Sequence, residues 1–337
     1  MSKIKSKVIV IAEAGINHNG KLLLAKKLVD VAKKCGADYV KFQTFNPNLT
    51  TTSKSKLAPY QRKFISNIDK QKKLLRKLSL SNNEFIKLSK YCKKKKIKFL
   101  SSPFDIQSIS FLKSNKFNLD YFKIPSGEIT NYPYLKEIGK SKKKILLSTG
   151  MASIKEIINA KNVLIKNGTK KDNIILMHCI SDYPTEEKNI NLNFIRTLKK
   201  ISKIVGFSDH SEGFVASNLA IAIGANVIEK HFTLNKTMKG PDHQMSLDPI
   251  GLKIFIKNLR NTEVILGKDK KIITVGEKIL KKYARKSIVT KKKIKKGELF
   301  SKNNLTTKRP GDGKNPMMWN KIIGRKSKKN FNIDEKI

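Results

Sequence analysis

Two histidines and two lysines define the chemistry that this 337-residue sequence can attempt. His210 and His231 close two apolar runs, IVGFSDH and NVIEKHF, with Asp209, Glu229 and Asp242 nearby in the chain. Imidazoles at the ends of neighbouring strands can meet on one divalent cation and leave coordination positions for a substrate oxygen. The competing reading is a pair of hydrogen-bonded structural histidines. Lys41 in YVKFQTF and Lys123 in YFKIPS, with Gln43, Ser102, Ser126 and Ser148, form a ring of cations and hydroxyls suited to a phosphate and a carboxylate. Its rival is a Schiff-base lysine of the kind barrel aldolases use, which needs one desolvated amine and not several hydroxyl donors.

These residues need a scaffold that delivers them to one place. Short apolar, β-branched runs recur, each followed by a polar turn and a segment of helical period, which is the signature of a parallel sheet. The expected strands are Val8 to Ala14, Tyr39 to Phe45, Ile97 to Ser102, Tyr121 to Ser126, Lys144 to Thr149, Ile174 to Cys179, Ile204 to His210 and Asn226 to Phe232. Eight such units are what a (β/α)8 TIM barrel requires, and barrels place their chemistry at the carboxyl ends of the strands. Glu13, Lys41, Gln43, Ser101, Ser102, Lys123, Ser126, Ser148, His178, Ser208, His210, Glu229 and His231 all fall near those ends. Ser101 and His178 are open to a second reading as satisfied core or turn groups.

The segment from Asn46 to Leu80, rich in Thr, Ser and Lys, reads as an insertion after the second strand that could serve as a lid. After Gly267 the pattern changes. Residues 268–284 read as a basic linker with helical character, and residues 285–337 as a small loop-rich module containing the β-like runs SIVT and ELF and the Gly/Pro-rich stretch NNLTTKRPGDGKNP. The expected domains are therefore a barrel over 1–267, the linker and this module.

Composition limits the class of protein. With 39% apolar and 29% charged residues the chain is that of a folded globular protein. Cys35, Cys92 and Cys179 form no C-x-x-C pair, against a disulfide framework or a cysteine zinc site. The N-terminal apolar run is too short for a signal segment, and no run of 18 apolar residues occurs, so the expectation is a soluble cytoplasmic protein without membrane contact. The net charge of +46 suggests nucleic acid, but only seven of the 72 basic residues are Arg and the lysines are spread over nearly every helix. Base and phosphate readers lean on Arg, so no nucleic-acid partner is expected.

Ten motifs occur in order: EAGINHNG, KFQTF, SSPFD, FKIPSGE, LSTGM, HCISDYPT, GFSDHSEG, EKHFTL, GPDHQMSLDP and KRPGDG. Together they resemble the bacterial sialic acid synthase family over nearly the whole chain. The resemblance implies an α/β fold, a (β/α)8 barrel with a small C-terminal antifreeze-like (SAF) domain. The implied enzyme is a carbon–carbon bond-forming transferase that condenses phosphoenolpyruvate with an open-chain N-acetylmannosamine-type sugar and releases phosphate. Carried over by motif, His210 and His231 would hold Mn2+ or Mg2+. Lys41, Ser102, Lys123, Ser126, Ser148, Ser181 and Ser208 would bind phosphoenolpyruvate, with Ser181 standing where some members carry Asn. Glu13, Gln43, Glu128 and Asp242 would face the sugar or handle protons. Arg309 would reach the sugar N-acetyl group from the SAF domain of the other subunit in a domain-swapped homodimer. GPDHQMSLDP is closer to the neuraminate and N,N'-diacetyllegionaminate synthases, with pseudaminate synthase the alternative.

Overall fold

Strict alternation of side chains along eight strands fixes where everything in this fold points. The computed structural model describes residues 7–58, 62 and 70–337. The strands are β1 (Ile9–Gly15), β2 (Tyr39–Thr44), β3 (Lys98–Pro103), β4 (Tyr121–Ile124), β5 (Lys144–Ser148), β6 (Ile174–His178), β7 (Val205–Asp209) and β8 (Val227–His231). Each lies within two residues of its expected span. Parallel ladders run in the order β3-β2-β1-β8-β7-β6-β5-β4, and β3 and β4 lie side by side at the remaining seam. Pairing of β1 with β8 turns the sheet into a barrel.

One set of alternate residues fills the barrel. Its lower layer is apolar: Ile11, Tyr39, Leu100, Tyr121, Leu146, Ile175, Met177 and Val227 pack together. Further along the strands, on the same face, Glu13, Lys41, Ser102, Lys123, Ser148, Ser208, Glu229 and His231 are buried and polar. The opposite set, including Val10, Ala12, Val40, Phe42, Phe122, Leu147, Leu176, Phe207 and Ile228, packs against the surrounding helices as the main hydrophobic core. A parallel barrel of this kind is thus a filled core whose top layer alone is chemical.

The helices start where local chemistry satisfies their free amides. Ser81 and Ser153 make reciprocal capping boxes with Glu84 and Glu156, and Asp105 and Asp248 cap the helices Ile106–Lys113 and Pro249–Leu266. In the insertion, the described part holds the helices Pro47–Thr50 and Gln71–Leu78, the latter burying Leu74 and Leu78. The rest of the segment read as a lid, residues 59–61 and 63–69, lies outside the described residues. No described helix is long and apolar enough to cross a membrane.

The chain forms two compact units, one ending at Gly267 and one running from Lys268 to Ile337. The second unit includes the expected connector helix, Val275–Ala284, capped by Thr274 and Glu277. Its sheet pairs Ser287–Thr290 (β9) with Leu305–Lys308 (β10) in antiparallel register. SIVT is therefore a strand, but ELF is not: Leu299 makes a single bridge to Lys326, and Phe300 enters the core. The second strand is LTTK, in the stretch that reads as loop because Gly and Pro follow it closely. Ile288, Ile294, Phe300, Leu305, Ile322 and Phe331 form the small core of this unit, with Trp319 packed against it.

Candidate active site

Register brings the polar layer together before any side-chain contact is considered. Glu13 pairs with Lys41 across β1 and β2 and with His231 across β1 and β8, and Ser208 pairs with Glu229 across β7 and β8. Lys41 Nζ lies 3.0 Å from Glu13 Oε1 and 3.6 Å from Glu229 Oε1, and donates to Ser102 Oγ at 3.2 Å. Lys123 Nζ lies 3.3 Å from the same Glu229 oxygen and donates to Ser148 Oγ at 2.8 Å. Ser208 Oγ donates to Glu229 Oε1 as well, at 3.0 Å. Glu229 is thus a carboxylate shared by both lysines, a role its position in the sequence does not announce.

Charge placement separates the two carboxylates. Burial opposes ionisation of Glu229, but Lys123 and Lys41 outweigh it and pull the group down to about 2. Glu13 is equally buried, has Lys41 as its close cation and Glu229 as a repelling neighbour, and is pushed up to about 7. Burial depresses Lys123, whereas in Lys41 the Glu13 and Glu229 carboxylates overcome burial and leave the amine above its ordinary value. A buried ammonium held above its usual range is a poor nucleophile, which disfavours a Schiff base at Lys41.

At one side of this cluster β1 ends in a bulge at Gly15, whose φ of 52° lies in the left-handed region. A side chain there would touch Gln43 Nε2, Glu13 Oε1 and Asp242 Oδ2, at 3.4, 3.4 and 3.6 Å from its Cβ, so these three groups converge on an unfilled space. Burial alone raises Asp242 to about 6. Its loop is tied down by Ser246 Oγ, which donates to the Asp242 carbonyl at 2.5 Å, and by Asn17 Nδ2, which donates to Ser246 Oγ at 3.0 Å. Opposite, Ser126 Oγ accepts from the Gly150 amide at 3.1 Å and sits 3.2 Å from Cys179 Sγ. A Cβ at Gly150 would fall 2.4 Å from Ser181 Oγ and 2.8 Å from Ser126 Oγ, so the two hydroxyls close on a bare backbone.

His210 and His231 have ring centroids 5.6 Å apart. His210 Nδ1 lies 2.6 Å from the Ile180 carbonyl, which can only accept; the proton is therefore on Nδ1, and Nε2, whose lone pair faces Ser208 Oγ at 3.5 Å, is the nitrogen that can ligate. Burial holds His210 down to about 4 and His231 well below its ordinary value, so both rings are neutral. Among the described residues, no group of three His, Cys, Asp or Glu could hold a metal ion. Two neutral imidazoles are nonetheless a fit for a partly hydrated divalent cation. His231 Nδ1, Glu13 Oε2 and Glu229 Oε2 are buried without a hydrogen-bond partner, which is unusual for polar atoms unless a ligand supplies one.

Glu128 is half-buried, raised by that burial, and accepts from Asn131 Nδ2 at 2.6 Å. Arg309 belongs to the second unit, where its Nε donates to the Ala284 carbonyl. His178 faces the helices, its Nε2 2.7 Å from the Ile190 carbonyl and its ring against Phe194 and Phe207; Ser101 is likewise satisfied by Thr44 and Phe42. Both are structural. Tyr183, absent from the sequence-based candidates, has its ring centre 4.2 Å from that of His210, tilted by 43°, and stands edge-on to His231 at 6.1 Å. At the opposite mouth, a bowl of about 810 Å³ lined by lysines, with Tyr39 and Tyr121, holds none of these groups.

Comparison with known proteins gives a consistent result. Residues 28–271 match the NeuB family and residues 285–337 match the SAF domain. An N,N'-diacetyllegionaminic acid synthase of Campylobacter jejuni is 48% identical over 98% of this chain and 99% of its own. A pseudaminic acid synthase of the same species is 34% identical over 98% and 95% of the two chains. The crystal structure of an N-acetylneuraminic acid synthetase from Leptospira borgpetersenii, in complex with citrate, superposes with a TM-score of 0.69 at 32% identity, covering 83% of this chain and 93% of that one.

Proposed function

This chain belongs to the NeuB family, and from that premise we propose that it condenses phosphoenolpyruvate with an N-acetylmannosamine-type sugar, releasing phosphate and forming a nonulosonic acid. The observation that carries the reading is the buried chain Glu13–Lys41–Glu229–Lys123 beside two neutral imidazoles at the carboxyl ends of the strands. The preferred product is N,N'-diacetyllegionaminate, since identity to the legionaminic relative is 48% and to the pseudaminic relative 34%. N-Acetylneuraminate is the next reading.

In this proposal Lys41 with Ser102 and Lys123 with Ser148 bind the carboxylate and phosphate of phosphoenolpyruvate, helped by Ser126, Ser181 and Ser208. The anion takes over part of the pairing that Glu229 supplies in its absence. His210 and His231 hold Mn2+ or Mg2+, which when bound supplies Lewis-acid polarisation of the sugar aldehyde. The methylene carbon of phosphoenolpyruvate attacks that aldehyde carbon, and the aldehyde oxygen takes up a proton. Asp242 gives it in this reading, supported by a carboxyl that burial raises to about 6. Water then adds at the oxocarbenium-like carbon and loses a proton to Glu13, whose value of about 7 suits a general base near neutrality. Phosphate departs by C–O cleavage. Gln43 and Glu128 contact the sugar, and Arg309 of the partner subunit reaches its N-acetyl group in a domain-swapped homodimer.

The test is phosphate release from phosphoenolpyruvate by metal-stripped protein, with and without Mn2+, against N-acetylmannosamine and its 4-acetamido-6-deoxy analogue, with products identified by mass. Release should need both Mn2+ and a sugar, and be faster with the analogue. Faster turnover of N-acetylmannosamine would move the assignment to N-acetylneuraminate, and no release with either would overturn it.

A further inference from the structure

The residues that immediately precede the two imidazoles are a matched pair of opposite charges. Asp209 on β7 and Lys230 on β8 are direct partners in the parallel register, and both point away from the barrel interior. Lys230 Nζ lies 3.1 Å from Asp209 Oδ1, and the side chains are 3% and 0% exposed. Outside them, the Lys230 ammonium stands 5.8 Å from the ring centre of Phe255, on the helix Pro249–Leu266.

Neither group is left short of partners. Asp209 Oδ1 accepts from the Ser211 amide at 2.9 Å and from Ser211 Oγ at 2.6 Å, and Oδ2 accepts from Ser217 Oγ at 2.6 Å. Lys230 also donates to the Ser211 carbonyl. His210 is thus flanked by two residues that close on each other and on Lys230, and its own carbonyl accepts from the Thr185 amide at 2.9 Å. One cation therefore ties the turn carrying His210 to the residue next to His231.

A buried ion pair of this kind adds little net stability, because desolvating both charges offsets most of their attraction. Nothing in the polar layer uses it, since it lies on the other side of the strands. Its distinctive effect is geometric: it fixes two adjacent strand ends relative to each other at the level of His210 and His231. We infer that the buried Asp209–Lys230 pair is a positioning device for the two imidazoles, setting their separation for a divalent cation. This rests on the proposal that His210 and His231 hold the cation.

The experiment measures Mn2+ binding to the full-length chain by the spin-resonance signal of the free ion. In parallel, phosphoenolpyruvate binding is measured by calorimetry without metal. Lys230→Met removes the cross-strand tie and keeps the volume, while Asp209 retains three other donors. Mn2+ should bind about tenfold more weakly, the lower end of the effect of groups that orient metal ligands. Phosphoenolpyruvate binding should change less than about twofold on the same scale. The double variant Asp209→Asn, Lys230→Gln, which replaces the ion pair by a neutral hydrogen bond, should recover most of the Mn2+ affinity. It also carries the test if Lys230→Met does not fold. Unchanged Mn2+ affinity in folded Lys230→Met, equal losses for Mn2+ and phosphoenolpyruvate, or no recovery in the double variant would overturn the inference. Failure of the unsubstituted chain to bind Mn2+ would overturn the cation site itself, a result distinct from these.

Discussion

Replacing Glu229 by Gln keeps the shape of the shared side chain and its acceptor oxygen for Ser208, but removes the charge that two buried ammonium groups converge on. The carboxyl titrates at about 2 in the folded chain against an ordinary 4.5. That difference corresponds to about 3 kcal/mol of folding stability at pH 7. An independent figure agrees, since breaking a buried pair by removing one partner costs roughly 3–5 kcal/mol. For a unit of this size each 1 kcal/mol is roughly 2–4 °C, so the barrel should melt about 6–12 °C lower. Because the folded value is depressed, the stabilisation is complete above the unfolded value and is lost as pH falls through the folded one. The gap between the two proteins should therefore shrink to about 1 kcal/mol at pH 3. Urea unfolding followed by far-ultraviolet circular dichroism, at both pH values and with salt added to damp self-repulsion, measures it as a shift in midpoint at constant slope. Identical midpoints at pH 7 would refute the argument that Glu229 balances the two lysines. A gap that widens towards acid would refute the sign.

Further outcomes follow from the same geometry. With Glu13 at about 7 acting as base, kcat/KM should fall as pH drops through 7, and Glu13→Gln should lower kcat by roughly 10²–10⁴ and abolish that limb; an unchanged pH profile would remove Glu13 from the role. In Gly150→Ala the new methyl must displace Ser126 and Ser181, and overpacking of about 1–3 kcal/mol should raise the phosphoenolpyruvate KM with little change for the sugar. A wild-type KM would show that those hydroxyls do not hold the anion. Arg309→Ala should raise the sugar KM by roughly 10- to 100-fold, the size of a lost hydrogen bond from a charged group, and equal effects on both substrates would refute a sugar contact.

How much of this is legible in the sequence depends on parity. Glu13, Lys41, Lys123, Glu229 and His231 sit on alternate positions of β-branched runs, so the strands and the inward direction of those side chains can be read directly. The same rule turns Ser101, His178 and Lys230 outward, and the first two are indeed satisfied there. What parity cannot supply is distance across the barrel, which is why Glu229 as the carboxylate common to Lys41 and Lys123 emerges only from the folded barrel. It also stops where strands stop. Tyr183 and Asp242 lie in loops, so neither the ring beside His210 nor the carboxylate beside Gly15 follows from a period. In the second unit LTTK is hidden because the turn-forming residues that follow dominate the local signal, although its Leu305 is a core residue.

The only tryptophan of the chain, Trp319, packs on the small core of the second unit. It is therefore a built-in optical label. Emission excited at the indole band reports the melting of that unit, while far-ultraviolet dichroism is dominated by the helices of the barrel. Two thermal scans of one unlabelled sample thus resolve whether the units unfold together or in turn. A substitution inside the barrel should move the dichroism curve and leave the emission curve in place if the units are thermodynamically independent.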